Sequence, residues 1–362
     1  MLIGAPKEIK VHEYRVGLVP ETVHEARAAG HDIIIERDAG AGIGISDDDY
    51  VRAGAKIVPT ARAVFEKADM VVKIKEPQPV ECDMLRPGQV LFTYLHLAAD
   101  PSLTQALAAS GAIAIAYETV TASDGGLPLL KPMSQVAGRM AVHVGSHFLE
   151  KASGGAGVLL SGVPGVARGN VVILGGGTAG ANAARLALGM GANVTVIQRS
   201  LERIQKLDEM FNGELRIVHS TKVSIEAHVA QADLLIGTVL AAPGACAPKL
   251  VSRGLVKAMR PGSVIVDISI DQGGCIETSK PTSHTDPIYV EEGVTHYCVT
   301  NMPGAVARTS TFALNNATRP FVLALANYGV DGALEKDPHL ADGLNIRGGE
   351  VIHPTVKGSL ES

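Results

Sequence analysis

The sequence predicts an α/β protein with two doubly wound domains, and three observations carry that expectation. Short apolar runs alternate with helical stretches through the first ~130 residues, and a second alternation starts at Val171. Strands that alternate with helices form a mainly parallel sheet with both faces covered. At roughly 100–200 residues per domain, the 362-residue chain accommodates two such units. Its forty glycines lack a collagen period, so they point to tight turns and close backbone approaches.

In chain order, Glu21–Ala29 has helical character and stops at Gly30, and Ile33–Glu36 is a short apolar strand. Asp47-Asp48-Asp49 is expected to cap a helix. Asp69–Lys75 and Val90–His96 are strand-like runs, the first closed by Glu76-Pro77. Asp100 as N-cap and Pro101 at the first position open a helix to Ala109, and Ile113–Tyr117 is again a strand. Gly125-Gly126 with Pro128 marks a break. Met133, Val136, Met140, Val144 and Phe148 then recur at three- and four-residue steps, predicting a helix over Pro132–Lys151. After the Gly-rich stretch Gly154–Gly169 come strands at Val171–Leu174, Val194–Ile197, Leu234–Ile236 and Val264–Ile268. Asn315–Asn327 reads as a helix able to return to the first unit, and the polar tail Pro338–Ser362 gives little information.

Composition excludes several classes of function. Hydrophobic residues make up 46% and charged residues 19%, against disorder. A net charge of −5 gives no reason to expect a nucleic-acid partner. The N-terminus lacks a signal peptide's apolar stretch, and the best membrane candidate, around Leu234–Ala242, is too short and is bounded by Asp233 and Pro243. Cys82, Cys246, Cys275 and Cys298 are scattered without metal-ligand spacing and read as free thiols of a reducing compartment, the cytoplasm by default. His143 and His147 stand four apart on the predicted helix, but no third ligand is evident, so no metal is expected.

Gly175, Gly177 and Gly180 form G-x-G-x-x-G between the strand-like Val171–Leu174 and the helix-like Ala179–Gly189. That context suits a dinucleotide: the first glycine permits a tight turn, the second admits a pyrophosphate, and the third lets helix pack on strand. The helix N-terminus adds unpaired N–H groups and a positive dipole end. The next strand should end in an acid for the adenosine ribose; it ends in Gln198-Arg199. A missing acid removes repulsion of a 2′-phosphate, and Arg199 can pair with one, so NADP(H) or dual use is favoured over strict NAD(H).

Four polar residues sit at strand or loop ends: Arg15, Lys75, His96 and Asp271. A guanidinium can hold a carboxylate, a lysine can polarise a carbonyl, and a histidine can exchange protons near neutral pH. With a nicotinamide, the set suits hydride transfer to an α-keto acid or its imine.

Gly4–Glu8, Val72–Pro77, Leu91–Ala98, Gly175–Gly180, Val266–Cys275 and Asn301–Val306 together resemble the NAD-dependent L-alanine dehydrogenases, in order, from the N-terminus to about residue 330. The same family includes the nucleotide-binding part of proton-translocating transhydrogenases. The resemblance implies two Rossmann-like domains with a cleft between them. Residues 1–130 would form a substrate domain to which 306–362 return, and 131–305 the dinucleotide-binding domain. It implies that Arg15 binds the substrate carboxylate, Lys75 polarises the keto oxygen or binds carboxylate, His96 is the general acid/base, and Asp271 assists proton transfer. Ser134, Thr178, Ala179, Arg203, Ser220, Val239, Leu240, Ile268, Ser269, Ile270 and Asp271 match cofactor contacts, and Val299, Thr300, Asn301 and Met302 match the nicotinamide side. Lys280 stands where the family typically has Arg, and Gln198 where it usually has Asp.

The reaction so implied is reversible oxidative deamination of L-alanine to pyruvate and ammonia with NAD(H) or NADP(H). The resemblance also implies a homohexamer. A dehydrogenase for another small amino acid is the rival enzyme. A non-catalytic, transhydrogenase-like nucleotide module is the rival from another class; it needs no Arg15, Lys75 and His96 together.

Overall fold

The computed structural model describes residues 1–239 and 246–360. The chain divides into two compact units, Met1–Met133 continued from Val306 onward, and Ser134–Ala305. Among the described residues, no helix is long and apolar enough to cross a membrane.

The first unit opens with strands β1 (Leu2–Ala5), β2 (Asp32–Glu36), β3 (Lys56–Val58), β4 (Met70–Val72), β5 (Val90–Thr93) and β6 (Ile113–Ala116). All pair in parallel, in the order β6-β5-β4-β1-β2-β3, with Ile3 opposite Ile33 and Val71 opposite Leu91. Covered on both faces, β4 and β5 read as unbroken apolar runs, and Met70, Val71, Val72, Leu91 and Phe92 are wholly buried. The helix Pro101–Ser110 begins as expected, with Asp100 accepting from the Leu103 N–H at 3.0 Å.

The second unit holds β7 (Asn170–Leu174), β8 (Asn193–Gln198), β9 (Arg216–His219), β10 (Leu234–Gly237), β11 (Val264–Asp267), β12 (Ile288–Glu291) and β13 (Val294–Tyr297), in the order β12-β13-β11-β10-β7-β8-β9. Only β12 runs antiparallel among these described strands, joined to β13 by a hairpin whose turn residues Glu292 and Gly293 both have positive φ. Ala181, Ala183, Ala184 and Ala187 of the helix Thr178–Gly189 pack on Val171, Ile173, Val194 and Val196. Val172, Leu174, Leu235 and Ile265 fill the opposite face.

The chain returns through the helix Ala307–Lys336, longer than the Asn315–Asn327 expected. The polar tail, whose sequence gives little information, supplies β14 (Leu344–Arg347) and β15 (Glu350–Val351). β14 pairs antiparallel with β6 and extends the first sheet to eight strands, its alternation too short to register in the sequence.

Three expectations are corrected. Ser46, not an aspartate, caps the helix Asp47–Arg52; Asp49 completes a capping box with it, so the acids form the first turn. The helix Lys131–Phe148 stops short of Lys151. The runs Asp69–Lys75 and Val90–His96 are strands only to Val72 and Thr93. Beyond those points the backbone N–H groups of Ile74 and Lys75 turn to the Glu8 carboxylate, and those of Leu95 and His96 to Glu118, instead of to a neighbouring strand.

Candidate active site

Both sheets reverse strand order beside their first strand, at β1/β4 and at β7/β10. Ligands of open α/β sheets bind beyond the carboxyl ends of strands at such a switch point. Each unit carries its share of the candidate residues on that edge.

In the first unit, Arg15 follows β1, Lys75 follows β4 and His96 follows β5, three adjacent strands. Arg15 is buried, and Glu13 grips it twice: Nε donates to Oε1 at 2.7 Å and Nη2 to Oε2 at 2.5 Å. Nη1 faces Met133 Sδ at 3.1 Å. Burial works against the Arg15 charge, but Glu13 outweighs it and holds the guanidinium above its usual pKa. Most of Arg15's fork is thus oriented by Glu13.

Lys75 is half-buried, and its loop is tied on both sides. Glu8 Oε1 accepts from the Ile74 N–H at 2.7 Å and the Lys75 N–H at 3.4 Å, and Thr93 Oγ1 donates to the Lys75 carbonyl at 3.0 Å. Glu8 is itself held by the wholly buried Lys73, whose Nζ donates to Glu8 Oε2 at 3.0 Å and Glu81 Oε1 at 2.8 Å. Burial alone would lower the Lys73 pKa; the two carboxylates reverse that and keep it protonated.

His96 is exposed and lies in the left-handed region at φ 53°. Its N–H donates to Glu118 Oε1 at 2.5 Å, and the Leu95 N–H reaches the same carboxylate at 3.1 and 3.2 Å. The imidazole stacks on Tyr94 with ring centres 5.9 Å apart, and the Tyr94 hydroxyl donates to the Leu129 carbonyl at 2.6 Å. Burial pushes the Tyr94 phenol well above its usual pKa.

In the second unit the candidates line up strand by strand. Gly175 leaves β7, Gln198 ends β8, Ser220 follows β9, Val239 follows β10, Ile268, Ser269, Ile270 and Asp271 follow β11, and Val299, Thr300, Asn301 and Met302 follow β13. Gly175 takes φ 97° at the turn. A Cβ on Gly180 would sit 2.0 Å from the Gly175 carbonyl oxygen, so only glycine lets the helix Thr178–Gly189 start there. A Cβ on Gly177 would meet nothing within 4 Å, which leaves open space over the N–H groups of Thr178 and Ala179. This cradle fits a pyrophosphate. Ser134 lies one turn before Gly138, whose Cβ would be 2.1 Å from the Ala179 carbonyl oxygen, so the two helices touch at the loop.

Gln198 Oε1 accepts from the Arg199 N–H at 2.9 Å. Arg199 is exposed and makes no ion pair among the described residues, while Arg203 Nε donates to the Gly176 carbonyl at 2.6 Å and braces the glycine loop. Asp271 is exposed on the turn Ile268–Gln272. The buried Asp267 fastens that turn, accepting from Ser269 N–H at 3.1 Å, Cys275 N–H at 2.9 Å and Ser279 Oγ at 2.7 Å. Burial raises its carboxyl pKa. Asn301 adopts φ 58°, and its carbonyl lies 3.1 Å from His284 Nε2. Lys280 is set apart from the glycine loop: its Nζ pairs with Glu291 of the edge strand β12 at 2.9 Å. Leu240 lies outside the described residues.

The residues missed by sequence reasoning are the carboxylates that hold these loops: Glu8, Glu13, Glu118 and Asp267. Their signal was present, since Glu8, Glu118 and Asp267 each lie within three residues of the end of a strand.

The chain is similar to known proteins over nearly its whole length. The family models "Alanine dehydrogenase/PNT, N-terminal domain" and "Alanine dehydrogenase/PNT, C-terminal domain" match residues 4–137 and 141–354. A protein of Halomonas elongata named alanine dehydrogenase is 56% identical over 98% of this chain and 96% of its own length. A Methanococcus maripaludis protein of the same name is 52% identical over 98% and 95%. A solved structure titled L-alanine dehydrogenase superposes with a TM-score of 0.96 at 53% identity, covering 100% of this chain and 99% of the other. With both halves matched and full-length relatives above half identity, the chain belongs to the alanine dehydrogenase/PNT family.

Proposed function

We propose that the chain catalyses reversible oxidative deamination of L-alanine to pyruvate and ammonia with a nicotinamide dinucleotide. The observation that carries this reading is the presence of Arg15, Lys75 and His96 in the loops that follow three adjacent strands, in a chain that also carries the glycine cradle. A nucleotide module without catalysis has no use for the first set, and this favours the enzyme.

In the amination direction, the Arg15 guanidinium receives the pyruvate carboxylate. Lys75 Nζ donates to the keto oxygen and draws charge from the carbon that ammonia attacks. His96 delivers a proton to the departing water and takes one back in deamination. Asp271 assists from the turn after β11. Gly175–Gly180, Ser134, Arg203, Ser220, Val239 and the 268–271 and 299–302 segments hold the dinucleotide. When bound, it supplies or accepts the hydride at the α-carbon. Arg199, exposed beside the uncharged Gln198, supports use of NADP(H) beside NAD(H).

The four cysteines are free thiols, which suits a reducing compartment such as the cytoplasm. Exposed Leu159, Val163 and Val166 support burial of this loop in a homo-oligomer, a hexamer in our reading, which a mass from light scattering tests.

The deciding experiment mixes the purified protein with pyruvate, ammonium and NADH or NADPH and follows absorbance. His96→Ala should lower kcat by roughly 10²–10⁴-fold and leave dinucleotide binding intact. Retained kcat would remove His96 from the chemistry. Turnover confined to another small keto acid would favour the rival dehydrogenase.

A further inference from the structure

We propose that Glu118 is a positioning residue for His96, acting through the backbone of the loop after β5. The inference rests on the acid/base reading of His96 and adds what holds that side chain ready. Glu118 stands two residues past the end of β6, and β6 lies beside β5 in parallel register with Thr93 opposite Ala116. Its carboxylate therefore reaches sideways to the neighbouring strand end. There it collects two consecutive N–H groups, Leu95 at 3.1 Å and His96 at 2.5 Å, both on Oε1.

Those N–H groups leave the β ladder at this point. An N–H without a neighbouring strand needs another acceptor, and the acceptor's position dictates the backbone that follows. His96 is bent into the left-handed region at φ 53°, a conformation a non-glycine side chain seldom adopts without support. The bend sends the imidazole back over Tyr94, where the rings lie parallel within 8°. Tyr94 is anchored by burial and by the hydrogen bond its hydroxyl donates to the Leu129 carbonyl. The stack fixes the ring plane, and Glu118 fixes the backbone that carries the ring.

The same construction recurs on the strand between β5 and β1. Glu8, three residues past β1, collects the N–H groups of Ile74 and Lys75 beyond β4. Thr93 Oγ1 then links the two loops by donating to the Lys75 carbonyl at 3.0 Å. A carboxylate sited just past one strand sets the loop of the next, and Glu118 does this for the proton-transfer residue.

The test is a double-mutant cycle in the full-length enzyme, using Glu118→Ala, Glu118→Gln, His96→Ala and the pair His96→Ala with Glu118→Ala. Misplacing a reacting group by about 1 Å can cost on the order of 10²-fold, so Glu118→Ala should lower kcat by roughly 10–100-fold. KM for pyruvate and the Kd for NADH, read by fluorescence, should move less than about threefold. Oε1 accepts both N–H groups, Oε2 adding only a second contact to the Leu95 N–H at 3.2 Å, and an amide oxygen can occupy the Oε1 place; Glu118→Gln should therefore stay within about fivefold of the parent kcat. In the His96→Ala background, adding Glu118→Ala should cost less than about threefold, because the residue it positions is gone. Multiplying losses would assign Glu118 a merely structural role and overturn the proposal. So would a Glu118→Gln variant as slow as Glu118→Ala, or a Glu118→Ala variant at full rate. Near-full kcat in His96→Ala alone would overturn the acid/base reading itself, a result distinct from the others.

Discussion

At the scale of single residues, the proposed cofactor choice rests on two side chains. An aspartate at the end of β8 would accept from ribose hydroxyls and repel a 2′-phosphate; Gln198 carries no charge, and Arg199 presents an exposed planar cation beside it. Gln198→Asp with Arg199→Ile should swing kcat/KM toward NADH by tenfold or more, about 1.4 kcal/mol. A ratio that stays put would mean that Arg199 points only at solvent. Arg15 needs a different expectation. Its proposed role as a carboxylate binder predicts a raised KM for pyruvate in Arg15→Ala. Because Glu13 holds it in a buried pair, the same substitution strands a carboxylate and should also cost about 3–5 kcal/mol of stability, read from urea unfolding. An unchanged KM in the folded variant would take Arg15 out of substrate binding. The pairing of Arg15 with Glu13 was not legible beforehand: two residues apart in a loop, their geometry depends on a turn that no periodicity announces.

At the scale of elements, the glycine loop separates two reasons for lacking a side chain. Gly180 has no room, since a Cβ would lie 2.0 Å from the Gly175 carbonyl oxygen. Gly177 has room in the protein itself, and its glycine is proposed to serve the close approach of a pyrophosphate. Gly180→Ala should therefore lower the Tm of the protein alone by several degrees. Gly177→Ala should leave that Tm unchanged and weaken NADH binding by tenfold or more. If Gly177→Ala binds NADH normally, the phosphate lies elsewhere. This loop was legible because its strand, turn and helix are contiguous in sequence, as are the Asp100 cap and the apolar runs of β5, β6, β7 and β11. The ends of β4 and β5 were not, because Glu8 and Glu118 cut those ladders short from neighbouring strands, and which strand is a neighbour is a tertiary fact. The tail was missed for the same reason: Leu344–Arg347 becomes a strand by pairing with β6, and its own four residues carry too little pattern to say so.

At the scale of the whole molecule, the chain leaves its first unit after Met133 and re-enters it at Val306, so the proposed cofactor residues lie within one continuous insert. The candidates for pyruvate binding, Arg15 and Lys75, lie in the other unit. Binding to the native state stabilises it by about 2.7 kcal/mol when the ligand is at 100 times its Kd. For a unit of this size roughly 2–4 °C accompany each kcal/mol, so NADH at that level should raise the midpoint of the unit it binds by about 5–10 °C. Lys75→Ala is the informative variant: Lys75 is only half-buried, and the buried network of Glu8, Lys73 and Glu81 beside it stays intact. In Lys75→Ala the NADH-induced shift should persist in full, because every proposed dinucleotide contact is untouched. The further shift produced by pyruvate on the NADH-loaded protein should shrink or vanish, because the group proposed to meet the keto oxygen is gone. Differential scanning fluorimetry with NADH alone, then with NADH and pyruvate, separates the two. Loss of the NADH shift in Lys75→Ala would show that the first unit takes part in holding the dinucleotide and would end the assignment of cofactor binding to the insert alone.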